Sequence, residues 1–230
     1  MLKNGKHILF DFETMGNAQE DPNVVVPSLG VLVFNPNEIV PFDELVNRAI
    51  RFKFDIREQR QQFGRTTHLD TLEWWRKPEN FDAYNRVIIA SGEDISLSEL
   101  GPRLDEYLRK MDWSAATDGD ACGRVWTRGN AFDGPLMTNI MKYFDYEEAF
   151  PFYLLRDVRT KIDAIAELYD DEHPWWGYPR GYETPEGFVK HTETHDCAND
   201  VLQIQYTMLR YFNWLETNYV PKDKVKSVWD

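Results

Sequence analysis

The feature that most constrains the fold is a stretch near the N-terminus, residues 8–14, with the sequence ILFDFET. Its apolar first half and the following Gly16 predict a buried strand. Alternate residues of a strand point to the same face, so Asp11 and Glu13 share one face. Two carboxylates this close repel each other unless one is protonated or a cation lies between them. Because hard divalent cations prefer oxygen ligands, we expect a Mg²⁺ or Mn²⁺ site at the end of this strand.

Composition alone does not single out this pair. The 39 acidic residues among 230 give roughly six or seven acidic-x-acidic pairs by chance. Other pairs, such as Asp118 with Asp120 and Asp145 with Glu147, lie among polar or helical residues, where solvent exposure explains them. What distinguishes Asp11 and Glu13 is the apolar strand that precedes them.

Two further strands are expected within the first 55 residues. Apolar residues at 24–26 and 29–34 end at Asn35-Pro36, and residues 49–54 alternate between apolar and basic side chains. The short polar connections predict an antiparallel meander, with Arg51 and Lys53 on its solvated face.

From Ile56 onward helices alternate with short strands. Ser96 and Glu99 fit a capping box at the start of a helix with leucines at helical spacing. Helices are predicted at 71–76, 97–111, 136–144, 157–169 and from Asp196 onward, where Val201, Ile204, Leu209 and Phe212 form the apolar side; strands are predicted at 124–129 and 153–155, and a long functional loop at 170–194. This order predicts one α/β domain over residues 1–230.

Length and composition exclude several classes of protein. No stretch approaches 18 consecutive apolar residues, so no membrane span is expected. The start is not a signal peptide, and the two cysteines have no zinc or disulfide spacing, so a cytoplasmic location is expected. The net charge of -13 argues against binding along an extended duplex. This net charge is compatible with binding a few nucleotides at a site where bound metal ions offset the local negative charge.

Three more residues have contexts that suit a site. Asp133 lies between a predicted strand and a helix, where an N-cap role is the alternative. Asp200 lies early in the last predicted helix, where a solvated acidic residue is equally ordinary. His195 precedes Asp200 by five residues, and its alternative is a helix cap or a satisfied polar residue.

Taken in order, Asp11, Glu13, Asp133, His195 and Asp200 resemble the DEDD exonuclease family in its histidine variant. The motifs DFETMG at 11–16, EWW at 73–75, RGNAFD at 128–133, RDVRT at 156–160 and HDCAND at 195–200 are similar to the T4-type phage exonuclease A branch, which degrades single-stranded DNA from its 3′ end. A similar bacterial branch acts on RNA. The resemblance implies a ribonuclease H-like α/β fold, with a central five-stranded mixed sheet flanked by helices.

The resemblance also implies roles for these residues. Asp11, Glu13, Asp133 and Asp200 would hold two divalent metal ions, Mg²⁺ or Mn²⁺, about 4 Å apart. His195 would be the general base, a role that suits its near-neutral pKa.

The resemblance places the substrate end beside the first strand. The backbone at Thr14 would meet the terminal 3′-hydroxyl, and Met15 would wedge between the last bases, although core filling also explains a methionine there. Phe132 would stack on a base or pack beside Asp133.

The expected activity is therefore metal-dependent 3′→5′ hydrolysis of single-stranded nucleic acid to nucleoside 5′-monophosphates, with DNA favoured over RNA. An exoribonuclease on the same fold and a catalytically silent nucleic-acid-binding scaffold remain alternatives. For the tryptophan pairs, we expect Trp74-Trp75 in the core and Trp175-Trp176 near substrate. For Arg128 and Arg159, we expect salt bridges rather than phosphate contacts.

Overall fold

The computed structural model describes residues 5–36, 38–113, 123–147, 150–168 and 177–218. Five strands form one sheet in the order β3-β2-β1-β4-β5. The first three strands pair antiparallel, whereas β1 with β4 and β4 with β5 pair parallel. The predicted mixed five-stranded sheet is thus confirmed. The strands are β1 His7–Glu13, β2 Ser28–Phe34, β3 Ile50–Lys53, β4 Val125–Thr127 and β5 Leu155–Asp157.

Helices lie on both faces of this sheet. The helices of the described residues are α1 Phe42–Arg48, α2 Ile56–Gln61, α3 Leu69–Trp75, α4 Phe81–Val87, α5 Leu100–Lys110, α6 Asp133–Tyr143, α7 Val158–Ala166 and α8 Glu193–Asn218. Of these, α3 and α4 pack together in a small separate cluster around Trp75. The predicted capping box is present, since both reciprocal hydrogen bonds between Ser96 and Glu99 form at the short 3-10 turn before α5. None of these helices is long and apolar enough to cross a bilayer.

The alternation of side chains along β1 creates two apolar cores. Ile8, Phe10 and Phe12 pack on the face covered by α5 and α6. Leu9 points to the opposite face, where it packs with residues of α1, α7 and α8. Asp11 and Glu13 follow Leu9 on that second face, so the sheet directs both carboxylates toward α8.

The start of α8 lies very close to β2. A Cβ atom at Gly30 would come within 2.6 Å of the Glu193 carbonyl oxygen, so only glycine permits this approach. The Ser28 hydroxyl donates a hydrogen bond to Glu193 at 3.0 Å. Because Gly30 is the cross-strand partner of Asp11, this contact fixes α8 beside the acidic end of β1.

The prediction that Lys53 faces solvent is wrong. Its side chain is only 3% exposed, and it forms an ion pair with Asp94 and donates to the Ile89 carbonyl. Arg51 is partly buried and pairs with Glu93 and, at 3.6 Å, with the buried Glu193. The segment after α4 covers this edge of the meander, so both cations are drawn into ion pairs.

Other boundaries also differ from the prediction. Helix α8 begins at Glu193 rather than near Asp196, and the fifth strand begins at Leu155 rather than at residue 153. Of the four residues predicted for the apolar side of α8, Val201 and Ile204 are buried in the second core, whereas Leu209 and Phe212 are exposed, so the prediction is wrong for these two. The pair Trp175-Trp176 lies outside the described residues.

Candidate active site

Three separate chain segments meet at the end of β1. Asp11 and Glu13 come from the strand itself, and α8 brings Asp200. Asp133 is the first residue of α6 and accepts a hydrogen bond from the Phe12 backbone N–H at 3.1 Å. The N-cap of that helix is Phe132, so Asp133 does not act as the N-cap and its carboxylate is turned to the strand. The parallel pairing of β1 with β4 brings the connection after β4 beside the acidic strand end.

A cavity of ≈ 670 Å³ opens at this position, and we call it the acidic cavity. Among the residues predicted for the site, it is lined by Asp11, Glu13, Thr14, Phe132 and Asp200. Asp133 is not among the lining residues, but its carboxylate contacts the same strand end through the hydrogen bond from the Phe12 N–H. The cavity also contains residues the sequence did not single out, namely Tyr178, Tyr182, Lys190, His191 and Asp196.

The carboxylates of this cavity raise one another's pKa values. Burial and the neighbouring Asp133 and Glu13 raise the pKa of Asp11 well above its usual range. Burial, Asp196 and Glu193 do the same for Glu13. Burial raises the pKa of Asp133 to about 7 and, together with the charge of Asp200, that of Asp196 to about 7. Such a cluster holds its full negative charge only when cations balance it.

The donor set fits divalent cations. Carboxylate oxygens are the ligands that Mg²⁺ and Mn²⁺ prefer, and four acidic side chains converge at one strand end. In addition, Glu13, His191 and Asp196 offer ligand atoms that all lie within 4.8 Å of one another. The structure therefore provides a group of residues able to bind metal, and this group shares Glu13 with the predicted ligand set.

Arg128 partly neutralises the cluster. Its Nε donates to Asp200 at 2.7 Å, and its other nitrogens donate to the Gln203 side chain and the Gly177 carbonyl. The ring of Tyr178 lies 4.7 Å from the guanidinium carbon. Burial raises the pKa of Asp200, and the positive charge of Arg128 opposes that rise. The expectation of a salt bridge at Arg128 is confirmed, and its partner belongs to the site itself. The same expectation is wrong for Arg159, which lines the cavity but forms no ion pair among the described residues.

His195 is placed beside the acidic cavity rather than in its lining. Its Nδ1 accepts a hydrogen bond from the Val189 backbone N–H at 3.1 Å, and its ring packs edge-on against Phe42. Since Nδ1 is an acceptor here, the neutral ring carries its proton on Nε2. Burial and the charge of Arg86 lower the pKa of His195, so the neutral form dominates at pH 7.

His191 lies in the cavity instead. Its backbone has a φ of 60°, and its ring packs edge-on against Trp74 with centroids 4.6 Å apart. Burial lowers its pKa to about 4. The sequence held a signal for it, because His191 precedes Asp196 by five residues, as His195 precedes Asp200.

The predicted substrate-binding residues divide between two places. The Thr14 backbone carbonyl accepts a hydrogen bond from the Trp75 indole at 2.9 Å, at the wall of the acidic cavity. Phe132 lines that cavity and also packs against the core, so both of its proposed uses fit the structure. Met15 is buried and lines a neighbouring cavity, not the acidic one. Trp75 is in the core as expected, whereas Trp74 is half-buried and faces the cavity.

Known proteins share this fold. The zinc-bound complex of E. coli ExoI with single-stranded DNA superposes with a TM-score of 0.53 at 12% identity, covering 94% of this chain and 43% of that one. A further exonuclease I structure gives a TM-score of 0.54 at 12% identity, covering 93% and 44%. The chain thus spans less than half the length of exonuclease I, and at this identity the likeness concerns the fold alone.

The sequence relatives are closer. A family model described as "3'-5' exoribonuclease Rv2179c-like domain" matches residues 6–200. A protein of Enterobacteria phage T4, described as an exodeoxyribonuclease, is 32% identical over 226 residues, which cover 90% of this chain and 91% of that protein.

The fold, the acidic strand end and these relatives define the class: the chain is a 3′-5′ exonuclease with a ribonuclease H-like fold. Within that class it belongs to the Rv2179c-like exonuclease family, whose model spans most of its length.

Proposed function

We propose that this chain is a single exonuclease domain that hydrolyses single-stranded DNA from its 3′ end and releases nucleoside 5′-monophosphates. The observation that carries the proposal is that Asp11, Glu13 and Asp200 line one cavity with aromatic walls, while Asp133 contacts the same strand end through the Phe12 N–H. The phage relative named an exodeoxyribonuclease, 32% identical over most of both chains, favours DNA. The family description names RNA, so an exoribonuclease on the same site is the second candidate.

The four carboxylates are the groups that would hold two divalent ions, Mg²⁺ or Mn²⁺. When bound, such ions activate the attacking water and stabilise the leaving oxygen of a phosphodiester. The protein's contribution is to keep the carboxylates in place, through the Phe12 N–H on Asp133 and Arg128 on Asp200. The negative charge that raises their pKa values is also what favours binding of the cations.

We propose that His195 accepts the proton of the attacking water. Its lowered pKa keeps the imidazole neutral at pH 7, as a base requires. In the structure Nδ1 is engaged by Val189, so Nε2 becomes an acceptor only after that hydrogen bond is released and the proton moves to Nδ1. His191, which already lines the cavity, is the rival candidate for the base.

We propose that the terminal nucleotide lies against Thr14 and Phe132. The aromatic rings of Trp74, Tyr178 and Tyr182 line the same cavity and offer stacking surfaces for bases. Arg159 and Lys190 also line it and are available to phosphate oxygens.

A ladder assay tests the activity. We expect 5′-labelled single-stranded DNA to shorten from its 3′ end in Mg²⁺ and to remain intact in EDTA. The Asp11→Asn variant should lose about 100-fold or more of the rate. The Asp105→Asn variant is the matched control, since it removes one exposed carboxylate on α5, and it should keep the wild-type rate.

A parallel assay with RNA of the same sequence shows whether the substrate is DNA or RNA. Shortening of RNA alone would move the protein to the exoribonuclease candidate with the site unchanged. Intact DNA and RNA, in Mg²⁺ and in Mn²⁺, would contradict the hydrolytic proposal and favour a nucleic-acid-binding scaffold.

The two histidines are separated by substitution. If His195 is the base, His195→Ala lowers kcat by about 100- to 10,000-fold, whereas His191→Ala changes mainly the metal or substrate dependence. The reverse pattern, with kcat lost only in His191→Ala, would transfer the role to His191. The pH profile of kcat should lose its acidic limb in whichever variant removes the base.

A further inference from the structure

A second cavity of ≈ 830 Å³ adjoins the acidic cavity, and three of its lining residues are Arg57, Arg60 and Arg65. We call it the arginine cavity. Two chain segments pass from one cavity to the other. In the first, Thr14 lines the acidic cavity and Met15 lines the arginine cavity; in the second, Thr67 lines the arginine cavity and Thr71 lines the acidic cavity. The two cavities are therefore neighbours separated by the chain that follows β1.

The arginines of this cavity are not neutralised by its carboxylates. Asp55 accepts the Glu58 N–H at the start of α2, and Asp94 is the ion-pair partner of Lys53. Within the described part of the chain, the one hydrogen-bond acceptor of Arg57 is the side-chain oxygen of Gln61. Among the described residues, neither Arg57 nor Arg60 forms an ion pair, although the protein carries a net charge of -13.

Arg65 adds a buried positive charge. It is 3% exposed, and it donates to the carbonyls of Val24 and Pro22 and to the Asn139 side chain, all uncharged acceptors. Burial lowers its pKa to about 10, with Asp21 opposing the fall, so the guanidinium stays charged at pH 7. A buried cation without an ion-pair partner is costly unless an anion approaches it.

We propose that the arginine cavity binds the backbone phosphates of the nucleic acid strand whose 3′-terminal nucleotide lies in the acidic cavity. This inference rests on the proposed function. Once the terminal nucleotide occupies the acidic cavity, every remaining nucleotide lies on its 5′ side and must leave across a cavity wall. At the wall formed by Thr14 and Met15, the strand passes from carboxylates, which repel phosphate, to guanidinium groups, which bind it.

The chemistry of the cavity defines its ligand class. Guanidinium contacts to phosphate position a strand without reading bases or the sugar, so the cavity would serve DNA and RNA equally. It also reconciles the acidic composition with nucleic-acid binding, because the positive charge is concentrated at one place. Met15 lines the arginine cavity directly after Thr14, at the wall that the strand would cross.

The test compares Arg57→Ala/Arg60→Ala with wild type by fluorescence anisotropy of a labelled octathymidylate in Ca²⁺, at several salt concentrations. We expect the variant to raise Kd about tenfold. The slope of log K against log salt should become shallower by about 1.4, as expected for losing two phosphate contacts on a single strand. A dinucleotide fills only the acidic cavity, so its affinity should not change. Arg65 is left intact because its removal threatens folding.

Arg103→Ala/Arg109→Ala is the matched control, since it removes the same charge from exposed positions on α5, outside both cavities. An equal loss in this control, or equal octamer binding by wild type and Arg57→Ala/Arg60→Ala, would overturn the inference. Hydrolysis in Mg²⁺ is scored separately. Arginine-dependent binding without hydrolysis would contradict the exonuclease proposal alone, and hydrolysis of the octamer with an unchanged KM in the variant would contradict the arginine cavity alone.

Discussion

Arg128 holds three oxygens at once, from Asp200, Gln203 and Gly177. Two of these belong to α8 and one to the segment before it, so one side chain ties β4 to the carboxylate end of α8. Its side chain is 13% exposed and that of Asp200 is 6% exposed. By contrast, Arg103 and Glu99 pair on the surface, with exposures of 47% and 46%. Both contacts are arginine–carboxylate ion pairs, but one is buried and the other is exposed, so we expect them to contribute differently to stability.

We expect Arg128→Ala to lower the free energy of unfolding by roughly 3–5 kcal/mol, because it leaves a buried carboxylate without its cation. Arg103→Ala should cost less than about 1 kcal/mol, as is usual for exposed pairs. Urea unfolding in EDTA measures both. Saturating Mn²⁺ should reduce the penalty of Arg128→Ala, since metal then offsets the Asp200 charge; equal penalties for the two variants would contradict this assignment.

For single residues, the sequence predicts which face of a strand a side chain lies on better than it predicts the partners of that side chain. Asp11 and Glu13 could be identified because a strand places them on one face whatever surrounds it. Lys53 could not be placed correctly, because its partner Asp94 lies 41 positions away and alternation within β3 does not reveal it. His191 was not predicted as a site residue, because its position near Glu13 depends on the loop before α8, and the sequence of this loop has no periodic pattern.

At the scale of elements, the site depends on how α8 lies on β2. Because Gly30 has no Cβ, the backbone of Glu193 can occupy the space that a side chain at this position would need. The same helix carries Asp196 and Asp200, one and two turns further along. A shift of its first turn would therefore displace both carboxylates relative to Asp11.

We expect Gly30→Ala to lower the free energy of unfolding by about 1–3 kcal/mol, the usual effect of overpacking a core. Metal affinity should fall by about 10- to 100-fold as the carboxylates move. Gly92→Ala is the control, because nothing lies within 4 Å of the added atom, and it should stay within about 0.5 kcal/mol of wild type. Denaturant unfolding and Mn²⁺ titration calorimetry give the two quantities; wild-type metal affinity in Gly30→Ala would contradict the coupling.

Most elements were predictable because each has its own signal: apolar runs for the strands, leucine spacing for α5, and the Ser96 capping box before it. The limits of α8 were not. Its first turn is fixed by Glu193 meeting β2, and Leu209 and Phe212 further along the helix have no core residues of the described chain to cover them and are exposed. Both facts are properties of packing between distant segments, which local periodicity does not contain.

At the scale of the whole molecule, we expect the acidic cluster to couple stability to cations. Any ion that binds the folded site and not the unfolded chain stabilises the protein by mass action. At a metal concentration a hundredfold above Kd, we expect Tm to rise by about 5–10 °C relative to EDTA. Scanning calorimetry with Mg²⁺ or Mn²⁺ measures the shift, and Asp11→Asn should abolish most of it. An unchanged Tm would contradict the metal site.

The same cluster gives stability a definite pH dependence. The pKa values of Asp133 and Asp196 are raised from 3.8 to about 7. Their protonated forms thus favour the folded state below pH 4, and this contribution is lost as the pH rises through 7. In EDTA we expect a lower free energy of unfolding at pH 8 than at pH 5.5. Excess Mn²⁺ should reduce or reverse the difference, whereas a difference of the opposite sign in EDTA would contradict the shifts.

The parallel pairing of β1 with β4 has a consequence for biosynthesis. Asp11 and Glu13 emerge early from the ribosome, Asp133 emerges only after the whole meander and α5, and Asp200 follows only with α8. Contacts so distant along the chain form late in folding. If the proposed assignment of the four carboxylates is correct, a nascent chain would have no complete metal site until α8 has been synthesised and docks on the sheet.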